Sequence, residues 1–354
     1  MTAVTAVGDQ LRTLAPALAF LLAGVPLAAL LDRLGFFDAV VSAIAGRFAS
    51  VPVLALWVLA ALTTIVLNLD TTVVLLTPLY LRLARRADVD PVALALVPLL
   101  LASLSSSVLP VSNLTTLIAA QQLHLGVGQV VAHLALPSLA ATAVGWLVYR
   151  RHHPTRLACD PGGPPVRRAL AVGGAVVGFV LVGFTVGGAL GIPAWVVAAV
   201  ADVVLVALTR WLPWRTLPVS TAAAVVAVAA VVALVVPSGW LAGLLGHDRP
   251  LALVGIVGVA GAAANLVNNL PALLVALDGA DKVSWGMWAW LLGVNTAAVL
   301  TPMGALANLL WRRVLGADGI SVSWRDHARG TVGVAMPAVV AAAAVLALER
   351  AVWG

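Results

Sequence analysis

Cysteine is almost missing from this chain: Cys159 is the only one in 354 residues. No intrachain disulfide and no thiolate metal cluster can form from it. Lysine is as scarce, with Lys282 alone directly after Asp281, and no glycine-rich phosphate loop occurs. A nucleotide-driven pump therefore has no phosphate-binding element within this chain. There is no HExxH, and the six histidines are scattered, which leaves an enzyme without a metal site or a nucleophile–base pair; His152 and His153 read as loop residues. Charge is thin, at ten per cent of residues, far below what a soluble domain of this size needs to cover its surface. The net charge of +6 has no basic face and no interleaved aromatics behind it, so nucleic acid is not the expected partner.

What the chain has instead is apolar length. Sixty-two per cent of residues are hydrophobic and the mean hydropathy is +1.08. Repeated apolar runs of about 20 residues are transmembrane helices, so the expected fold is an all-α polytopic membrane protein. Asp9 and Arg12 replace the basic head of a signal peptide, and Leu14 to Leu31 is long enough to span. Residues 36 to 49 are short and amphipathic and are expected to lie in the interface. A loop rich in Arg, Pro and Gly follows at 150 to 168. Later spans are expected at 169 to 190, 193 to 209, 217 to 236 and 330 to 348.

Four segments are too long for a bilayer core of about 30 Å and carry polar interruptions. They are 51 to 86, 91 to 123, 250 to 280 and 284 to 313. In the first, NLDTT at 68 to 72 places an amide, a carboxylate and two hydroxyls inside apolar helical sequence. An acid at the bilayer centre costs about 2.5–3.5 kcal/mol on insertion scales. It is tolerated beside protein or a wet cavity, which makes Asp70 the expected proton-coupling residue; capping a helix that begins at Thr71 is its bland role. Two legs meeting at Asn68-Leu69-Asp70 read as a re-entrant hairpin. Asp202 and His133 are weaker relay candidates.

The order span, interfacial helix, hairpin, broken span, span occurs twice, at about 14 to 149 and 217 to 348. LPVSNLTTLI (109 to 118) aligns with TPMGALANLL (301 to 310), and Asn68 with Asn268. The division is a first repeat at 1–149, the loop at 150–168, and a second repeat at 169–354 with two extra scaffold helices. Placing both ends of the first hairpin inside puts 16 of the 20 basic residues inside, with Arg12, Arg249, Lys282 and Arg350 outside. The positive-inside rule then makes the 150–168 loop cytoplasmic and the repeats opposite in topology. Trp211 and Trp214 at one face, with Trp285, Trp288 and Trp290 at the other, read as interfacial anchors.

Inverted repeats with interrupted helices in matching positions point to a secondary transporter with its site near the midplane. Half-helix ends direct free N–H groups or carbonyls inward. The expected substrate-binding groups are Asn68, Thr71, Thr72, Ser112, Asn113 and Thr115 from the first half. Asn268, Asn269, Asn295, Thr301, Gly304 and Asn308 supply the second; Thr116 and Asn265 belong to the same clusters. Such a cavity suits a small oxygen-bearing solute, and no metal or cofactor is expected.

NLDTTVVLLTP, LPVSNLTTLIAA, NLVNNLP and PMGALANLLWRRVL followed by SVSW together resemble the arsenite-efflux permease family of the ion transporter superfamily. The resemblance covers nearly the whole chain and is strongest after Ala264. It implies two inverted repeats, a scaffold with a mobile transport domain, a homodimer, and extrusion of arsenite and antimonite against inward protons. A soluble ATPase subunit is a further partner it allows. The family's second broken span carries an Asp, then Gly-Pro-Asn, then Gly-Ser-Leu-Ala-Thr. Here the corresponding positions are Asn295, Ala297-Ala298-Val299 and Gly304-Ala305-Leu306-Ala307-Asn308. The first repeat also lacks the two helices that would match 169 to 209. The competing carrier class is a sodium- or proton-coupled anion transporter of dicarboxylate type, whose Ser-Asn-Thr motif only Ser112-Asn113-Leu114-Thr115 approaches.

Overall fold

The computed structural model describes residues 3–158, 164–217, 219–237, 239–278, 280 and 283–353. Cys159, Asp281, Lys282 and the middle of the 150–168 loop lie outside them. Apolar runs broken by Gly, Pro and Asn fold into helices of very unequal length. The chain opens with α1 (Ala3–Arg33) and α2 (Phe36–Arg47), separated by Gly35 in the left-handed region at φ 78°. A short strand, β1 (Ser50–Pro52), leads into α3 (Val53–Val66) and α4 (Leu69–Arg86). Then come α5 (Pro91–Leu104), a 3-10 turn at Pro110–Ser112 and α6 (Leu114–Gln122). The first half closes on α7 (Val127–Val130), a π turn at Val131–Ala135 and α8 (Leu136–His152), which together form one rod, Val127–His152.

The loop after this rod contains β2 (Arg156–Ala158), which pairs antiparallel with β1, Val51 facing Leu157. This ribbon was not legible in the sequence, because its partners lie about a hundred residues apart and neither alternates in hydropathy. It continues in α9 (Arg167–Ala189), α10 (Ala194–Thr209), a 3-10 turn at Trp214–Thr216 and α11 (Val219–Val235). The second half then runs through α12 (Ala242–Leu245), α13 (Pro250–Val267), α14 (Asn269–Leu277) and α15 (Trp285–Thr296). A 3-10 turn at Ala298–Leu300, α16 (Leu306–Ala317) and α17 (Trp324–Trp353) complete it.

Among the described residues, five stretches are long and apolar enough to cross a membrane: Leu14–Arg33, Val127–His152, Arg167–Phe184, Pro250–Val267 and Trp324–Trp353. Val53–Val66, Pro91–Leu104 and Ala194–Thr209 are as apolar but shorter. At 1.5 Å per residue, α3 reaches only about 21 Å and α14 about 14 Å. Helices this short cannot cross a layer of about 30 Å, and where their termini are buried those termini need internal hydrogen bonds.

The bend between α3 and α4 is an antiparallel hairpin. Thr64 and Thr72 lie four residues either side of Asn68, and their hydroxyls are 2.9 Å apart. Leu56 and Tyr80 lie twelve residues either side, and the buried phenol donates to the Leu56 carbonyl at 2.5 Å. The matching break in the second half is at Asn268, between α13 and α14, at φ 79°. In the aligned segments 109–118 and 301–310, α6 begins at Leu114 and α16 at Leu306, the same place in each.

Buried indoles and phenols sew these pieces together by giving their one polar atom to a backbone carbonyl. Trp311 of α16 donates to Ala95 of α5 at 2.8 Å, and Tyr149 of α8 to Ala93 of α5 at 2.9 Å. Helix α13 meets α15 backbone to backbone at Gly293, where a Cβ would stand 2.5 Å from the Val257 carbonyl oxygen. The tryptophan expectation needs correction. Trp214 is exposed, but Trp288 and Trp290 are buried, and Trp290 donates to the Ala272 carbonyl at 3.1 Å. They fasten α14 and α15 to their neighbours because a buried indole with its N–H satisfied is a large packing gain.

Candidate functional site

The site begins at the broken ends. Asn68, at the start of α4, is extended, and its side chain accepts the Thr71 N–H at 2.8 Å. Asn113 does the same for α6, accepting from the Thr115 N–H at 3.1 Å. Asn268 accepts the Leu270 N–H at the start of α14 at 3.3 Å. Short amides therefore cap three half-helices that would otherwise expose unpaired N–H groups within the apolar layer.

Asp70 is not the cap. The helix starts at Leu69, so Asp70 stands within its first turn, two residues past Asn68, which already fills the cap position. Asp70 Oδ1 is buried and has no hydrogen-bond partner among the described residues. The bland role for Asp70 is thus overturned, because the amide two residues earlier satisfies the terminal N–H. Thr71 Oγ1 is also buried without a partner there, whereas Thr72 donates to the Asn68 carbonyl at 3.0 Å.

The two halves touch at Asn295, the last turn of α15. Its carbonyl oxygen accepts from Thr115 Oγ1 at 2.5 Å. Its amide donates to Ser107 Oγ at 3.0 Å and Thr116 Oγ1 at 2.9 Å. All four residues are buried. Asn113 Nδ2 donates to Ser106 Oγ at 3.1 Å, and Ser112 Oγ donates to the Ile65 carbonyl at 2.8 Å, tying the broken span to the first hairpin.

A second network is centred on the other break. Asn265 Nδ2 donates to the Gly261 and Ala297 carbonyls at 2.8 Å each, and Asn265 Oδ1 accepts from the Thr301 N–H at 2.8 Å. Asn268 Nδ2 donates to the Met303 carbonyl at 2.8 Å, and the Asn269 N–H to the Gly304 carbonyl at 2.9 Å. Asn308 Nδ2 donates to the Ala298 and Thr301 carbonyls at 2.8 and 2.7 Å. Gly304 is held so close that a Cβ would stand 2.0 Å from the Ala298 carbonyl oxygen. Most amides of this half are spent on unwound backbone, which is why interrupted helices tolerate burial here.

The predicted residues thus fall into three groups, of which the junction and the first hairpin are tied by the Ser112–Ile65 hydrogen bond. Ser112, Asn113, Thr115 and Asn295 form the junction, and Asn268, Asn269, Thr301, Gly304 and Asn308 the second break. Asn68, Asp70, Thr71 and Thr72 sit at the first hairpin tip. Ser106 and Ser107 were missed; a serine triplet at 105–107 just before Pro110 in an apolar run was the available signal. His133 lies in the π turn, stacked on Trp288 with ring centres 4.6 Å apart, so it packs the rod against α15. Asp202 Oδ1 is buried without a partner among the described residues, on α10. His153 stacks on Tyr149. No group of three or more metal-binding side chains occurs among the described residues.

A polytopic helical chain whose interrupted helices gather amides and hydroxyls at a buried centre belongs to the class of membrane transporters. The comparison with known proteins carries this to a family. A profile of the citrate transporter family (CitMHS) matches residues 3–298, and the chain belongs to that family. It is 27% identical over 294 residues to an arsenical pump membrane protein of Yersinia enterocolitica, covering 71% of this chain and 66% of that protein. It is 26% identical over 285 residues to an arsenical pump membrane protein of Escherichia coli (strain K12), covering 70% of this chain and 65% of that one. The chain spans slightly less than two thirds of the length of these relatives.

Proposed function

We propose that this chain is a proton-coupled exporter of small arsenite- or antimonite-like oxyacids, built from two inverted-topology repeats with re-entrant hairpins. The observation that carries the reading is the junction at Asn295. It brings interruptions from opposite halves of the chain into one buried cluster of three hydroxyls and an amide. A neutral hydroxide offers several O–H donors and oxygen acceptors in a compact shape, and such groups can replace one another around it. The hairpin of α3 and α4 and the identical start of α6 and α16 within their aligned segments support the repeats.

Asp70 supplies the coupling. Its buried oxygen has no counter-ion or donor among the described residues, so the carboxyl is free to exchange a proton with the site. It takes a proton when the site opens outward and gives it up inward, while the solute competes for the same space. The protein sits in the cell membrane with the 150–168 loop cytoplasmic; a homodimer and a soluble ATPase subunit belong to the same reading.

Two measurements test it. Expression in an arsenite-sensitive host is expected to lower cellular arsenic; uptake of succinate, or protection that requires sodium, points instead to an anion carrier. In proteoliposomes, Asp70→Asn is expected to insert, still exchange solute, and lose at least tenfold of accumulation driven by a pH gradient. Full pH-driven accumulation in that variant would remove Asp70 from the mechanism.

A further inference from the structure

A cavity of about 870 Å³ opens beside the second break, with Pro302 and Met303 in its wall. Met303 is the residue whose carbonyl Asn268 holds, so the cavity adjoins the break network without sharing its amides. Its lining collects Arg33 from the end of α1, Arg82 from α4, Arg215 from the turn before α11, and Arg312 and Arg313 from α16.

The two acids in the wall, Asp32 and Asp318, are already engaged. Arg82 pairs with Asp32 and lies 3.8 Å from Asp318, and it also reaches Asp38 at 3.2 Å. Asp318 is held a second time by Arg85 at 2.8 Å. Arg33, Arg215, Arg312 and Arg313 meet no carboxylate among the described residues. Arg215 lies 4.9 Å over the Trp214 ring, and Arg313 donates to the Leu217 carbonyl at 3.1 Å, neither of which neutralises charge.

Orientation in a membrane requires arginines at helix ends, but not that they converge. These four come from three separate parts of the chain and meet only around this cavity. With five arginines against two carboxylates in its wall, the cavity keeps an excess of positive charge, and a concave site with low-dielectric walls concentrates the opposite ion. Guanidinium forks match phosphate and carboxylate oxygens, commonly two bonds at a time. A tetrahedral oxyanion offers acceptors in several directions, which suits donors arriving from three elements.

We propose that this cavity is a binding site for a phosphate-class oxyanion, separate from the solute site and linking α1, the turn before α11, and α16. The phosphate comes either from free solute or from the headgroup of an anionic lipid. This goes beyond the export reading and does not depend on Asp70.

The test is thermal unfolding of the purified full chain in nanodiscs, with inorganic phosphate titrated against chloride at matched ionic strength. Phosphatidylcholine discs are compared with discs containing phosphatidylglycerol. Stabilisation by free phosphate in neutral discs assigns the site to a solute; stabilisation only by phosphatidylglycerol assigns it to a lipid headgroup. In either case Arg33→Gln and Arg312→Gln should each weaken the effect about tenfold or more, as expected for a lost charge-assisted hydrogen bond. Arg329→Gln, paired with Asp326 elsewhere, should leave it unchanged. No phosphate or phosphatidylglycerol effect beyond chloride, or one that both cavity variants retain, overturns the proposal.

Discussion

Removing the Asn295 amide tests whether the two halves depend on one buried junction. In Asn295→Ala, Ser107 Oγ and Thr116 Oγ1 each lose the donor that reaches them. Thr115 Oγ1 loses its 2.5 Å acceptor but keeps Asn113 Oδ1 at 2.8 Å. Two buried hydroxyls are therefore orphaned, at about 1–3 kcal/mol each, while the third falls back on a second partner. The middle of that range gives about 3–4 kcal/mol. With an unfolding entropy of about 2.1 cal/mol/K per residue over a chain this long, that lowers the unfolding temperature by about 4–5 °C. Scanning fluorimetry or calorimetry of the protein in nanodiscs measures it. Asn295→Asp should cost much less, since the three hydroxyls can rotate to donate to a carboxylate. A double-mutant cycle with Thr116→Val should show a coupling of about 1 kcal/mol or more. An alanine variant within about 0.5 kcal/mol of the parent, or a strictly additive cycle, would refute the idea that this junction couples the interruptions of the two halves.

Gly304→Ala forces a Cβ to within 2.0 Å of the Ala298 carbonyl oxygen. It should destabilise the second break by about 3 kcal/mol, read as lower yield and a lower unfolding temperature; a neutral outcome would mean the backbone there is not held. Asn68→Ala removes the α4 cap and should cost about 1–2 kcal/mol, while Asn68→Ser recovers most of it by the same measurement. For orientation, a cysteine-free parent with Asp248→Cys should react with impermeant thiol reagent in intact cells, and one with Arg151→Cys should not. The reverse labelling would sink the inverted topology.

Much of this was legible because a bilayer permits few solutions. Apolar runs of sufficient length must be helices, and a polar cluster within a run too long for one span marks a break, since an unpaired backbone group cannot be left in lipid. That logic located the interruptions at 68–70, 109–113, 265–271 and 293–304, and marked Asn295, Asn113 and Thr115 as polar groups needing partners. It left the cap at the first hairpin open: Asn68 and Asp70 are both good capping residues, and only the backbone path gives the role to the amide and leaves Asp70 Oδ1 without a hydrogen-bond partner among the described residues.

Composition and periodicity alone determined the class: a polytopic helical chain with polar breaks in two similarly ordered halves. The tertiary structure decided which polar groups meet. Asn295 lies 180 residues from Thr115, and the arginines around the 870 Å³ cavity come from segments nearly three hundred residues apart. Local sequence fixes where a helix must stop, because the backbone hydrogen bonds run out there. It does not fix which distant side chain satisfies the exposed ends, because that partner is chosen by how the helices pack.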